Sequence, residues 1–472
     1  MRPTAELRAR PDTIVARGAR RAAAGERRRV EAQGPANGFA FCSGPFWPDE
    51  ARVRSNGSQE LVRRAAETLA EGLRTSPSRD HVALSRVLSD IAMAPRIGRP
   101  TWTPSVGAAL DASAGDGSAK LVAAVNLALD FVESARPFAC SIELDAPARV
   151  RVDPVLLDPS SSVRIFWKPP DLVVSTRSTT ATLGLGASPR SVVSLRPPSK
   201  AVGGFDDLGE LAVLRDRRGS GFASLDDAGA AAPAAVVASE FQEARRYLRA
   251  ASAEYLPWIA AMVRYLMPVP IPVASGSAPS APGAVSYSPG AGAIRLAQSL
   301  VAEGARQHYF FANRFGTLVD PHCTRRYYSP FVGRDCPLEM ILVAFHAAAN
   351  IIAFFFLLRR GRWDERHPGV LDRALVDLRV LDAHLDANPD LTELGRSLYR
   401  PIRGWLYERD LIGVGSSKRV RRGRDHAVVR PTARVLRGRE SMSSSPSAAT
   451  EDVAGRPESG DVAALSPGAL PS

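Results

Sequence analysis

SLVAEGARQHYFF, residues 299–311, reads as one amphipathic helix, and its apolar residues recur at helical spacing. Glu303 interrupts it, with Ala302 immediately before and Arg306 three residues after. Working outward, the same 3.6-residue period predicts helices over 294–312, 338–359, 370–388 and 391–412. Upstream, residues 234–269 read as two helices. Between them and the central helix lies ASGSAPSAPGAVSYSPGAG (274–292), too polar and broken for a helix and expected as a loop running past a site.

Further upstream the register changes. CSIELDA, ARVRVDP, VRIFWKP, DLVVSTR and SVVSLRP alternate or run β-branched between turn residues, so 140–197 reads as a small set of strands. Before them, amphipathic patterns predict helices over 59–75, over 81–94 with Asp80 as cap, and over 119–134. The expected fold class is α+β, mainly α-helical with a small β-sheet insert. The expected order is a disordered basic tail (1–35), an N-terminal helical region (36–139), a small β region (140–200), a helical domain (201–415) and a second disordered basic tail (416–472).

The chain of 472 residues carries a formal net charge of +12. About +5 of that falls in residues 1–34 and about +4 in residues 416–472, so the basicity is chiefly terminal. KRVRRGRDHAVVRPTARVLRGR (418–439) can hold phosphates without sequence preference, which makes nucleic acid at most a weak partner through the tails. The four cysteines (Cys42, Cys140, Cys323, Cys336) form no CxxC pair, and the N-terminus has no apolar run of signal-peptide length; both point to the cytoplasm. The apolar run 338–359 approaches membrane-spanning length. Glu339, His346 and Asn350 fall on it at i, i+7 and i+11, one helical face, which reads as a core helix beside a polar pocket and not as a span.

A HExxH metal helix places histidines at i and i+4 on one face, with a third ligand from elsewhere. In AEGAR those two slots hold a methyl group, Ala302, and a permanently charged guanidinium, Arg306. His308 lies five residues after Glu303 and points round the helix. The order APGAVSYSPG (281–290), LAQSLVAEGARQHYFF (296–311), RRYYSPF (325–331) and ILVAFHAAANIIAFF (341–355) nevertheless resembles the C-terminal half of the HExxH-motif peptide-modification proteins. That family accompanies ribosomally made, modified peptides and is similar to Fe(II)/2-oxoglutarate-dependent peptide β-hydroxylases. The resemblance puts Glu303 at the motif's catalytic glutamate, Ala302 and Arg306 at the histidine positions and His346 at the downstream histidine, the third ligand. Tyr327, Tyr328 and Pro330 match its YYSP turn. It implies a degenerate, metal-free and catalytically inactive member that binds a peptide or a small anion, with a precursor peptide or a pathway protein as partner and no membrane.

Two readings of the altered helix stand side by side. Glu303 and Arg306 form a surface pair worth a few tenths of a kcal/mol, or Arg306 enters the old metal cavity as a carboxylate clamp with His346, Asn350 and Glu339 facing it. A different class of reading is a working enzyme that uses Fe(II) and 2-oxoglutarate through His346 with His322 and Glu303 or Glu339. A third is a tail-driven interaction protein. His322, Cys323 and Cys336 are metal-ligand types in poor zinc spacing, and GLGAS (184–188) and GVGSSKR (413–419) lack the lysine and spacing of a phosphate loop. AEYLPWIAAMVRYLM (253–267) reads as core.

Overall fold

The computed structural model describes residues 39–47, 51–97, 102–112, 117–152, 155–157, 159–184, 191–196, 205–207, 211–214, 234–269, 275–360 and 368–413. Both expected tails, GLGAS beyond Gly184 and all but the first residue of GVGSSKR lie outside these residues. The described part is α+β and mainly helical.

The N-terminal helices are α1 (Ala40–Ser43), α2 (Ala51–Arg74), α3 (Arg79–Met93), α4 (Pro104–Ala112) and α5 (Gly117–Asp130). Helix α2 begins well before its clear apolar stripe, and the short α4 has too few turns to show a period. In α3 the buried residues Leu84, Val87, Leu88 and Ile91 follow the expected spacing. Its cap is Ser78 and not Asp80: the Ser78 hydroxyl accepts from the His81 N–H at 3.4 Å. Asp80 sits in the first turn, and its Oδ1 accepts from the Ser141 N–H at 3.0 Å, tying the helix to the first strand.

That strand is β1 (Phe138–Ala148). A two-residue ladder, β2 (Arg151–Val152) with β3 (Val155–Leu156), precedes β4 (Ser160–Lys168), β5 (Asp171–Thr176), β6 (Thr180–Gly184) and β7 (Ser191–Arg196). The large strands form one antiparallel sheet in the order β1-β4-β5-β6-β7. Period-two alternation buries Ile142 and Leu144, Val163, Ile165 and Trp167, Leu172 and Val174, Ala181 and Leu183 on one face. The small-sheet expectation for 140–197 is met here.

A second sheet was not anticipated. It contains β8 (Phe205–Asp207), β9 (Ala212–Leu214), β10 (Tyr265–Pro268) and β11 (Ala284–Tyr287), in the order β11-β10-β9-β8. β10 runs parallel to both neighbours. Residues 234–269 are therefore helix α6 (Ala234–Ala251), the short α7 (Tyr255–Ala260) and a strand, where two helices were expected. The Ser/Pro/Gly segment likewise holds β11, with Gly276 paired antiparallel to Ser286.

The C-terminal half runs α8 (Ala293–Asn313), the hairpin β12 (Arg326–Ser329) and β13 (Arg334–Pro337), α9 (Leu338–Arg360), α10 (Pro368–Leu385) and α11 (Glu393–Tyr407). One apolar core runs from Phe41 to Ile412 and joins the N-terminal helices, the inner face of the first sheet and α9–α11. A second core lies among α6, α7, β10, β11 and the N-terminal half of α8. Helix α8 borders both: Leu300 and Val301 enter one, Tyr309 and Phe311 the other. Helix α9 is long and apolar enough to cross a membrane, and most of it is buried against the rest of the fold.

Candidate functional site

Helix α8 carries a polar stripe inside an otherwise apolar surround. Glu303, Gln307 and His308 are each 0% exposed, and Glu303, Gln307 and Arg314 fall at i, i+4 and i+11, one face of the helix. That face meets the segment 275–284. Glu303 Oε1 accepts from the Ser275 hydroxyl at 3.0 Å and from Arg306 Nη1 at 2.7 Å, while Oε2 accepts from the Ser277 hydroxyl at 2.7 Å. Gln307 continues the seam: its Oε1 accepts from Trp102 Nε1 at 2.8 Å and from the Gly283 N–H at 3.0 Å, and its Nε2 donates to the carbonyls of Ala281 and Ala284. Arg314 bonds to Asp111 and to the Pro279 carbonyl. Gly283 has φ +74°, and a Cβ there would stand 2.5 Å from the Trp102 carbonyl oxygen, so glycine is required where the segment turns against the helix.

Neither expected reading of the pair survives in its simple form. The Arg306 side chain is 11% exposed and that of Glu303 0%, so this is not a surface pair. It is not a clamp facing His346 either, because the guanidinium is turned onto Glu303 at 2.7 Å. Ala302 is buried beside it, 4% exposed.

His346 and Asn350 lie on α9 and point elsewhere. Residues 303 and 305 are about 200° apart around a helix, and it is Ala305 that approaches His346. His346 Nε2 stands 2.9 Å from the Cys42 carbonyl oxygen and 3.1 Å from that of Ser43. Carbonyls only accept, so Nε2 carries the proton and has no lone pair to offer a metal. Burial holds the imidazole down to about pKa 4, against a smaller upward pull from the Ser43, Cys42 and Ala305 carbonyls. Asn350 Nδ2 donates to the carbonyls of Ser43 and His346, both at 2.9 Å.

Glu339 shares the nominal face of His346 but is exposed at the start of α9, where it accepts from the Tyr309 hydroxyl at 3.0 Å. Burial, and then that carboxylate, push the Tyr309 hydroxyl well above its usual range. His308 points round the helix as expected: its ring stacks on Trp258 with centroids 4.4 Å apart, and Nε2 lies 3.1 Å from the Trp258 carbonyl. Tyr327 accepts from Asn388 Nδ2 at 3.1 Å, and Tyr328 is 46% exposed; the YYSP residues form strand β12 and a turn, not part of the Glu303 site.

The remaining ligand candidates do not assemble. His322 is exposed, the Cys323 thiol donates to Asp390 Oδ2 at 3.3 Å, and Cys336 is buried against the Arg334 carbonyl. Among the described residues no group of three or more His, Cys, Asp or Glu side chains could hold a metal ion. The residues at the motif positions therefore do not fit Fe(II): two of the three slots offer no donor atom, and the one imidazole left, with its Nε2 held by the Cys42 and Ser43 carbonyls, cannot hold the ion alone.

Sequence reasoning missed Ser275, Ser277, Gln307 and the bonds of His346 and Asn350 to the Cys42 and Ser43 carbonyls. Gln307 was findable, four residues from Glu303 on the same face. The hydroxyls were not, since a Ser/Gly/Pro segment has no period that says which of them meets a helix. Also missed was Ser43, whose hydroxyl accepts from the Ile402 N–H at 2.9 Å. Ser43→Ala leaves that buried donor unmatched and is expected to cost about 1–2 kcal/mol in urea denaturation; an unchanged midpoint would mean that Ile402 finds another acceptor.

No family model matches the chain, and no curated protein matches it either.

Proposed function

We propose that the chain is a metal-free relative of the HExxH peptide-modification proteins, a cytoplasmic partner that binds a peptide without altering it. The observation that carries the reading is the interior of the motif helix. Where a metal helix would present two imidazoles, this one presents Ala302 and an Arg306 guanidinium bonded at 2.7 Å to the motif glutamate. A cation fixed there repels a divalent metal, and Glu303 is spent on Arg306 and two serine hydroxyls. The chain's own residues hold the 275–284 segment in place and move no proton to a substrate.

Two measurements on the purified full chain test this. Elemental analysis is expected to find iron and zinc far below one ion per chain, with no 2-oxoglutarate consumed in the presence of added Fe(II). A short precursor peptide encoded beside the gene is expected to bind in fluorescence anisotropy and to return with unchanged mass. Stoichiometric metal, or a peptide gaining the mass of one oxygen, would overturn the reading in favour of the hydroxylase.

A further inference from the structure

Three consecutive carbonyls near the N-terminus are each held by a side chain from more than 200 residues away. The Phe41 carbonyl accepts from Trp258 Nε1 at 2.9 Å. The Cys42 carbonyl accepts from His346 Nε2, and the Ser43 carbonyl from His346 Nε2 and Asn350 Nδ2. Donors on α7 and α9 thus read the backbone of one short segment, and the Ser43 hydroxyl engages the backbone of α11. Side-chain donors aimed at successive carbonyls recognise a peptide by its main chain, while pockets for alternate side chains select its sequence.

The pockets are present too. Phe41 meets His308 edge-on with centroids 5.9 Å apart, and Phe46 stacks on Trp405 at 4.5 Å and 9°. Cys42 and Ser43 are both 0% exposed, so only small side chains fit there. A Cβ at Gly44 would stand 3.0 Å from Asn350 Oδ1. The match is incomplete at two atoms: Asn350 Oδ1 and His346 Nδ1 are buried with no hydrogen-bond partner. Buried polar groups within a fold are nearly always satisfied, so an acceptor left over beside Gly44 marks a receptor with more capacity than its present occupant uses.

We propose that Phe39–Trp47 is a tethered peptide ligand, seated in a groove between α7, α8, α9 and α11 that accepts an aromatic–small–Ser–Gly peptide. The segment covers His346, so an outside peptide of that pattern enters only by displacing it. The identity of an outside ligand rests on the peptide-binding reading above; the exchange of the self-segment does not.

The test uses the full chain with a protease recognition sequence replacing residues 48–50, cleaved after folding. A fluorescent synthetic peptide of residues 36–48 is then added in excess. The expected result is uptake of the peptide with retained helical circular dichroism, and uptake lower by at least about tenfold for the same peptide carrying Phe41→Asp, since its charge would enter an apolar pocket. Uncleaved chain should take up far less. A cleaved chain that stays folded and takes up no peptide overturns the proposal, and so does one that loses its circular dichroism, because the segment is then indivisible core. Uptake of the self-peptide with no competition from the neighbouring-gene peptide leaves the self-ligand standing and removes the peptide-modification reading.

Discussion

Glu303→Ala is expected to destabilise the protein by about 3–5 kcal/mol, the usual consequence of removing one member of a buried ion pair. The carboxylate accepts from three donors, and its loss takes that acceptor from all of them: the Ser275 and Ser277 hydroxyls and the Arg306 guanidinium. The guanidinium decides the magnitude. Its side chain is 11% exposed, so it cannot recover full hydration where it stands. Removing both charges together, as Glu303→Leu with Arg306→Leu, is expected to restore much of the loss, because desolvation of the pair offsets most of its attraction. A coupling of about 2 kcal/mol or more between the two positions should follow from urea denaturation of the two single variants and the double one. If Glu303→Ala shifts the unfolding free energy by only a few tenths of a kcal/mol, the pair behaves as an exposed i, i+3 pair, and the buried seam is wrong.

The same seam shows what could be read from the chain in advance. Helices α8 and α9 were legible because each is long, so many apolar positions report one period. Strands β10 and β11 were not, because YLMP and AVSY are four residues each, and short apolar runs do not distinguish helix from strand. Their parallel pairing is set by the sheet and not by either run. On α9 the i, i+7, i+11 stripe correctly gave a shared face for His346 and Asn350. It could not say what fills that face, because the partners, the carbonyls of residues 42 and 43, are about 300 residues upstream. Glu339 shows the limit of the same rule: it has the right angle but lies two turns away, where α9 begins and water is near. The AEYLPWIAAMVRYLM stretch was legible as core from composition alone, and Tyr255, Trp258, Ile259 and Met267 are all buried.

His346 supplies the second large effect, through pH. In the unfolded chain its imidazole titrates near 6.5, and in the folded chain burial holds it down to about 4. Between those values the unfolded chain takes up a proton that the folded chain refuses. Stability is therefore fully present above about pH 7, falls as the pH drops through 6.5, and levels off below 4. The loss amounts to about 2 kcal/mol by pH 4.5 and about 3 in total. Carboxylates also titrate near the bottom of this window, so the informative quantity is a difference between two proteins. His346→Gln keeps an N–H donor for the Cys42 and Ser43 carbonyls and cannot titrate. The wild type is expected to be the more stable at pH 7, and its lead should shrink by about 2 kcal/mol by pH 4.5. Parallel stability curves for the two proteins over that range would mean that the imidazole is not held neutral against the N-terminal segment.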